Sequence, residues 1–356
     1  KKILFSINPE KVHDSFTSIG EFLGAHEVTK KSVSELYNYQ HPSLEQNILG
    51  INFRNPIGLA AGFDYDARLT QILPPVGFGF NTVGAITYNS YEGNAPPRLS
   101  RLPKSHSILV NKGLKNKGAK EILESIKNLK FEIPLGISVA KTNSKENCDD
   151  ENAIADYCKS LKLCEKYNLN NFYEINISCP NAFGGEAFTT PKRLDKLLIA
   201  IDKIKTRRPI FLKMPVDFTT KHTEQLCEIA IKHNVRGLIF GNLTKKRKNP
   251  LFDKEEIKKA GKGNFSGIPT QKKSNRLIKF VYKKYKNRFV IIGCGGIFTV
   301  EDAYKKIKLG ASLVQLITGM IYQGPNLIGE INHNLVQLLK KEGFSNIKEA
   351  IGVENN

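Results

Sequence analysis

A cysteine flanked by two carboxamides is the first feature of the sequence that could do chemistry. Residues 176–181 read Asn-Ile-Ser-Cys-Pro-Asn, so Asn176 and Asn181 lie on either side of Cys179. A free thiol has a pKa of about 8.5 and serves as a general base near neutral pH only with local help. A lone cysteine is more often a small buried hydrophobe. Because Cys179 follows an apolar run and precedes Pro180, we interpret it as a functional thiol.

Glycine-rich segments follow apolar runs in the C-terminal third of the chain. Gly295-Gly296 comes after one run and Thr318-Gly319 comes after the next. Glycines let backbone N–H groups approach an anion closely, and a helix that begins near Thr299 would direct its positive end toward that anion. A simple tight turn is the alternative interpretation. The pattern favours a phosphate site, which Ser266-Gly267 could close.

Lys213 interrupts an apolar run, Phe211-Leu212-Lys213-Met214. A buried lysine costs free energy unless its charge has a partner. We expect that partner to be an anionic cofactor or substrate.

The elements that must position these side chains are short apolar runs that alternate with helical patterns. Eight runs predict strands: Ile57–Ala61, Phe78–Ala85, Leu135–Val139, Phe172–Ile177, Ile210–Met214, Gly237–Gly241, Phe289–Gly293 and Leu313–Ile317. Strands that alternate with helices indicate parallel βαβ units, and eight of them favour a closed (β/α)8 TIM barrel over an open sheet. The active site of such a barrel lies at the carboxyl ends of its strands, and phosphate commonly binds after strands seven and eight.

The first residues predict a short helical extension, 1–45, that precedes a barrel domain, 46–356. Asn8 and Pro9 are typical of a helix start. Four apolar residues then recur at helical spacing on one face: Val12, Phe16, Ile19 and Leu23. This face is either packed on the barrel or a dock for a membrane surface or a lipid-soluble partner.

Composition excludes several classes of protein. Hydrophobic residues make up 40% of the chain, which excludes disorder throughout, and no apolar stretch approaches the ~18 residues of a membrane span. The six cysteines form no CxxC pair, which predicts reduced thiols in the cytoplasm, and the seven histidines lack ligand spacing, which predicts no metal site. The net charge of +20 suits an anionic partner, although scattered lysines also serve solubility.

Several of these segments together resemble dihydroorotate dehydrogenases. They are Gly58–Asp64, Gly93-Asn94 with Pro97-Arg98-Leu99, Asn176–Asn181 and Gly310–Leu316 with Thr318-Gly319; residues 8–14 resemble the helical extension of the quinone-linked class 2 enzymes. The resemblance implies a barrel that binds FMN and oxidises dihydroorotate to orotate in pyrimidine biosynthesis, with a quinone as electron acceptor. It implies a base on the fourth loop that takes the C5 proton while hydride leaves C6. It also implies a cytoplasmic protein in peripheral contact with the cytoplasmic side of a membrane.

The resemblance also implies roles for individual residues, with Cys179 as the base. Ala61 and Gly62 would line the flavin, Lys213 would contact its ring, and Asn176 would bridge flavin and substrate. The flavin phosphate would be held by Gly267, Gly295, Gly296, Thr318 and Gly319. The substrate would be held by Asn111, Asn181, Asn242 and Thr244.

The chain departs from the class 2 pattern at several of these positions. Class 2 members usually carry serine as the base, whereas Cys179 is the class 1 choice. Tyr65 stands where class 2 has a lysine, and Ser138 stands where a flavin-contacting asparagine is expected. Ala85 and Leu243 each replace a threonine. The loop that contains Asn111 is one residue shorter than in class 2.

Two other functions remain open from the sequence. A paralogue that acts on another unsaturated ring, such as dihydrouridine in tRNA, would suit the basic charge. The chain lacks a helical RNA-binding domain after its last strand pattern, so we expect no nucleic-acid partner. A non-catalytic flavin-binding barrel would account for the departures at the substrate positions.

Overall fold

The N-terminal helices lie against a closed barrel in the computed structural model, which describes residues 2–183 and 188–355. The first elements are the helices α1 (Lys2–Ser6), α2 (Pro9–Gly24) and α3 (Glu27–Tyr37), followed by the hairpin strands β1 (Gln46–Ile48) and β2 (Ile51–Phe53). The Asn8 side chain caps α2, because its Oδ1 accepts from the N–H groups of Glu10 at 2.9 Å and Lys11 at 3.2 Å. The predicted helix start is confirmed.

The remaining strands follow in chain order. They are β3 (Ile57–Leu59), β4 (Phe80–Ile86), β5 (Leu99–Leu102), β6 (Ser107–Val110), β7 (Leu135–Val139), β8 (Phe172–Asn176), β9 (Ile210–Met214), β10 (Val235–Phe240), β11 (Asn264–Phe265), β12 (Val290–Cys294) and β13 (Leu313–Leu316). Eight of them close a parallel barrel in the order β10-β12-β13-β3-β4-β7-β8-β9. Each barrel strand overlaps one predicted run, so the predicted (β/α)8 TIM barrel is confirmed.

Helices cover the outside of the barrel and join its strands. They are α4 (Leu73–Val76), α5 (Ala119–Ile126), α6 (Asp150–Tyr167), α7 (Pro191–Asp202), α8 (Thr220–Ile231), α9 (Lys254–Lys259), α10 (Ile268–Tyr285), α11 (Val300–Lys308), α12 (Thr318–Gln323) and α13 (Asn326–Glu342). Helix α11 begins where the sequence predicts, because Thr299 and Asp302 form a reciprocal capping box.

Aromatic rings fill the amino-terminal half of the barrel interior. Phe53, Phe80, Phe172 and Phe211 form one buried cluster there, and the β1–β2 hairpin contributes Phe53 to it. Small residues on neighbouring strands make room for the rings: a Cβ added at Gly136 would lie 2.2 Å from the ring of Phe172. The filled interior supports the opposite, carboxyl-terminal end, which carries the candidate site.

A small sheet above the barrel was not predicted. Strands β5, β6 and β11 form three antiparallel strands, and β6 lies between the other two. The sheet joins the segment after β4 to the segment after β10. Two predicted site residues follow it directly, Asn111 after β6 and Gly267 after β11, so it sets where both lie.

The predicted apolar face of α2 is divided between two environments. Leu23 packs against the main hydrophobic core, whereas Phe16 is 48% exposed and Ile19 is 52% exposed. Polar contacts hold the helix in place: the His13 Nε2 lies 2.9 Å from the carbonyl oxygen of Phe63. The four residues of this face therefore do not act as one buried surface.

Candidate active site

The loops after β8 and β10 meet through three polar side chains. The Asn176 Oδ1 accepts from the backbone N–H of Ser178 at 3.2 Å and from Asn242 Nδ2 at 3.4 Å. Asn242 Nδ2 also donates to the Ser178 carbonyl at 3.1 Å. The Tyr157 hydroxyl donates to the Asn176 carbonyl at 2.8 Å. These bonds place the predicted residues Asn176 and Asn242 side by side at the mouth of the barrel.

A second amide cluster connects the Cys179 loop to the segment after β6. Asn94 Nδ2 donates to Asn111 Oδ1 at 3.0 Å and to the Asn181 carbonyl at 3.1 Å. Asn181 Nδ2 donates to the Val110 carbonyl at 3.0 Å. Asn143 Nδ2 reaches Asn94 Oδ1 at 3.4 Å. The structure thus brings the predicted Asn111 and Asn181 together around Asn94, which belongs to a motif of the family resemblance but was not predicted as a site residue.

The thiol of Cys179 lies half-buried in a cavity that Lys141 and Tyr157 also line. The Lys141 Nζ donates to the carbonyl oxygens of Asn147 at 2.8 Å and Phe183 at 2.7 Å. Burial lowers the pKa of Lys141 below its ordinary value. Lys141 follows β7, at the carboxyl end of the barrel, and this position was the only signal by which sequence reasoning could have found it.

Lys213 has a partner inside the protein, which corrects the expectation of a bound anion as its only partner. Its Nζ lies 3.5 Å from Glu174 Oε2, and the Ser138 hydroxyl donates to Glu174 Oε1 at 2.7 Å. Burial, the largest single cause, would lower the pKa of Lys213, but the charge and hydrogen bond of Glu174 together with the nearby Cys294 outweigh it, and the pKa lies above its ordinary value. Ser138 therefore stabilises the buried Glu174 carboxylate by donating a hydrogen bond to it.

Glycines let the loops after β11, β12 and β13 approach one another closely. A Cβ at Gly267 would lie 2.2 Å from the His106 carbonyl oxygen, and a Cβ at Gly319 would lie 2.0 Å from that of Ile297. Gly267 has φ +79°, in the left-handed region that favours glycine. It precedes α10, and no side chain caps the first N–H groups of that helix. Backbone carbonyls accept from two of those groups instead, Ile268 N–H to His106 at 3.2 Å and Thr270 N–H to Gly267 at 3.0 Å, and Pro269 has no N–H. What α10 offers the predicted anion site is therefore the positive end of its dipole.

The other predicted anion-site residues lie in the same group of loops. Thr318 Oγ1 donates to Ser266 Oγ at 2.8 Å, which ties α12 to the segment before α10. Gly295 and Gly296 follow β12 with φ of +102° and +70°. Gln271 Nε2 donates to the Gly296 carbonyl at 2.6 Å, which joins α10 to this turn. The structure thus assembles all five residues predicted to hold a phosphate.

Open space lies above the first barrel strand. Ala61 and Gly62 follow β3, and a Cβ added at Gly62 would meet no atom within 4 Å. Gly62 has φ +110°, and its N–H donates to the Gly84 carbonyl at 2.7 Å. The backbone of this turn is therefore held in place, while the space beside the Cα of Gly62 is free of protein atoms.

Thr244 stands apart from the other predicted substrate residues. It is fully buried, its hydroxyl donates to Asp217 Oδ1 at 2.7 Å, and it accepts from Lys273 Nζ at 2.7 Å. Its single donor proton is therefore engaged within the protein. A direct substrate contact by Thr244 is the least supported of the predicted contacts.

A closed (β/α)8 barrel with glycine-rich loops and a thiol at the carboxyl ends of its strands is typical of the class of barrel enzymes whose active site lies at that end. A family profile described as dihydroorotate dehydrogenase matches residues 43–339. A relative named dihydroorotate dehydrogenase (quinone) from Trichodesmium erythraeum is 34% identical over 99% of this chain and 97% of its own. One of the same name from Sulfurovum sp. is 35% identical over 99% and 97%.

Solved structures of similar proteins agree with this match. The crystal structure of DHODH from Eimeria tenella in complex with ferulenol has a TM-score of 0.87 at 27% identity and covers 99% of each chain. The ligand-free type from the same organism has a TM-score of 0.82 at 29% identity, over 93% of this chain and 99% of that one. The chain belongs to the dihydroorotate dehydrogenase family, which confirms the predicted family.

The residues of this site fit the flavin on which the family depends. The positive end of the α10 dipole and the glycine-lined loops suit a phosphate. The clear side of the turn at Gly62 suits a flat ring, and Lys213 supplies a positive charge in the same barrel mouth.

Proposed function

We propose that the chain oxidises dihydroorotate to orotate with FMN as its flavin and a quinone as its electron acceptor. Family membership carries the reaction class, an oxidation that acts on a CH–CH bond. The choice of FMN rests on the anion site, which suits one terminal phosphate. Gly267, Gly295, Gly296, Thr318 and Gly319 would hold that phosphate, and Ala61, Gly62 and Lys213 would lie against the ring.

Cys179 is the proposed general base for the C5 proton of the substrate. A bound flavin would supply the acceptor for the C6 hydride and the route by which its electrons reach the quinone. The Asn176–Ser178–Asn242 group holds the loop of Cys179 against the barrel mouth. Asn111 and Asn181 would orient the pyrimidine ring by donating to its carbonyls and accepting from its N–H groups. Their positions, joined through Asn94, are the observation that carries this assignment.

Anaerobic mixing of the flavin-loaded protein with dihydroorotate tests the proposal. We expect the flavin absorbance to fall in the parent chain. A Cys179→Ala variant should be slower by about 10²–10⁴-fold, the usual contribution of a general base. Cys179→Ser should keep part of the rate and act at higher pH, because a hydroxyl ionises less readily than a thiol.

Cys158→Ala is the matched control, since this half-buried cysteine lies on α6 outside the proposed site. It should react as fast as the parent chain. A parent chain whose flavin absorbance stays constant contradicts the proposed substrate. A Cys179→Ala variant that reacts at the parent rate contradicts only the proposed role of the thiol and leaves the proposed substrate standing.

The space between α2 and the turn after β3 is the proposed entrance for the quinone. His13 and Thr17 of α2 and Phe63 and Tyr65 after β3 line one side of a cavity there, and the charged residues Asp14, Asp64, Asp66 and Arg68 line the rest. The His13 ring stacks on Tyr65 with centroids 5.4 Å apart. A flat, mostly apolar acceptor suits the aromatic side of this cavity.

The exposed side of the extension is the proposed contact with a membrane surface. Phe16, Ile19 and Phe22 are 48%, 52% and 62% exposed along one side of α2. Exposed apolar side chains grouped on an amphipathic helix are typical of helices that lie in the membrane interface. Across the residues that the structure describes, no helix has the length and apolar character needed to cross a membrane.

A further inference from the structure

Lys112 is a buried cation that the protein leaves without a hydrogen-bond partner. It follows Asn111 on the loop after β6, and only 8% of the residue is exposed. Among the described residues its Nζ has no hydrogen-bond partner. The Nζ lies 4.2 Å above the centroid of the Tyr65 ring, which attracts a cation only weakly compared with a carboxylate. Burying an ammonium group in this way costs free energy unless a ligand completes its contacts.

The charged groups around Lys112 do not meet this need. Those that face it are His13, Glu10 and Asp14 on α2, Asp66 after β3 and Lys115 on its own loop. Each carboxylate already has another partner: Glu10 lies 3.0 Å from Arg98, Asp14 lies 3.2 Å from His13, and Asp66 accepts from the backbone N–H of Lys117 at 2.9 Å. Burial lowers the pKa of Lys112 to about 8, so the cation is present at neutral pH.

The position of Lys112 points to the substrate. Its neighbour Asn111 accepts from Asn94 within the amide cluster proposed to hold the pyrimidine ring. Tyr65, the residue beneath its Nζ, stands where the class 2 pattern has a lysine. Among the described residues, Lys112 therefore places a buried cation without a hydrogen-bond partner directly against position 65.

We propose that Lys112 binds the carboxylate of dihydroorotate and of orotate. This inference rests on the proposed function, because it assigns one contact of that same substrate. The carboxylate is the negative charge of the substrate, whereas its ring polar groups are neutral amides. A quinone is uncharged, so charge complementarity assigns Lys112 to the substrate rather than to the acceptor.

Binding of orotate and of uracil to the flavin-loaded protein tests the inference. Uracil has the same ring without the carboxylate, and both can be followed through the change that they cause in the flavin spectrum. In Lys112→Met we expect orotate to bind at least about tenfold more weakly, since a hydrogen bond to a charged group is lost, while uracil binds as before. Lys117→Met is the matched control, because this exposed lysine on the same segment should alter neither affinity.

A pH series on the parent chain gives a second measurement that needs no variant. The ratio of orotate affinity to uracil affinity should be constant below about pH 8 and fall about tenfold per pH unit above it, as Lys112 loses its proton. A ratio that stays constant to pH 9.5 overturns the inference. So does a Lys112→Met variant that weakens both ligands equally, or one that changes only the KM for the quinone.

The two proposals fail in different ways. If dihydroorotate does not reduce the flavin of the parent chain, the proposed function is wrong. If the parent chain reacts but Lys112→Met keeps the parent ratio of orotate to uracil affinity, only the assignment of Lys112 is wrong.

Discussion

Lys213 and Glu174 carry opposite charges inside the barrel. Lys213 is 4% exposed, and Glu174 is fully buried. Their Nζ and Oε2 atoms are 3.5 Å apart, and Ser138 satisfies the second carboxylate oxygen. The pair lets the barrel mouth hold a lysine that stays protonated. Its stabilising effect is fully present below the ordinary lysine pKa and is lost as pH rises through the raised pKa of Lys213.

A Glu174→Gln substitution should destabilise the protein by about 3–5 kcal/mol, because it leaves the Lys213 charge buried and unpaired. Adding Lys213→Met should recover most of that loss, because no unpaired charge then remains. Urea unfolding at pH 7, repeated at several FMN concentrations to separate the loss of the proposed flavin contact of Lys213 from the loss of the charge pair, measures both changes. Glu124→Gln, at an exposed pair with Lys127, is the control and should change unfolding little. Additive losses in the double variant would contradict the pairing.

The N-terminal helix α2 has two different sides: one packs on the barrel, and the other is exposed. Two ion pairs hold it there: Arg68 Nη2 lies 2.5 Å from Glu21 Oε2, and Arg98 Nη1 lies 3.0 Å from Glu10 Oε1. A Cβ at Gly20 would lie 2.6 Å from the Leu69 side chain, so α2 sits close to the turn after β3. These contacts hold the helix firmly while Phe16 and Phe22 remain exposed.

Replacing Phe16 and Phe22 by serine should weaken the reaction with a long-chain quinone embedded in vesicles. Each buried aromatic side chain contributes about 1.5–3 kcal/mol on transfer from water, so we expect at least about a tenfold rise in the KM for that quinone. Reduction of the flavin by dihydroorotate and turnover with a water-soluble acceptor should not change. Ile199→Ser, which replaces a 47% exposed residue on α7, is the matched control. An equal loss with both acceptors would contradict the docking role.

The whole molecule carries a net charge of +20, with 54 lysines and arginines against 34 acidic residues. Charge of one sign over a surface attracts an anionic partner at long range, and salt weakens this attraction because the Debye length is about 8 Å at physiological ionic strength. The charge therefore adds to the apolar contact of α2 at an anionic lipid surface, with a distinct dependence on salt.

Vesicles that contain anionic lipid should bind the protein more tightly than neutral vesicles, and the difference should shrink as salt rises from about 0.05 to 0.5 M. Co-sedimentation at each salt concentration measures both. The Phe16 and Phe22 variant should lose affinity for both kinds of vesicle but keep the salt-dependent difference. A difference that salt leaves unchanged would contradict an electrostatic contribution.

Local sequence determined the strands, several helix starts and the glycine-rich loops of the proposed anion site. A short apolar run predicts a buried strand whatever its neighbours in the fold turn out to be. Asn8 and Thr299 cap helices through hydrogen bonds to residues two or three positions away in the chain. Glycine positions such as Gly267 and Gly319 are recognisable because they follow apolar runs in a repeated pattern. The register of eight strands then brings these loops together, which is why five predicted residues assemble.

Only the tertiary structure decided which distant side chains meet. Glu174 and Lys213 lie on neighbouring strands separated by a helix, and Lys112 meets Tyr65 across loops far apart in the chain. In the small sheet, β11 pairs with β6, which lies about 150 residues earlier in the chain, so no local pattern predicts this pairing. Period and capping are properties of neighbouring residues, whereas the partner of a buried charge depends on how the whole barrel closes. The sequence alone therefore identifies the groups that can react, and the fold decides which charges they face.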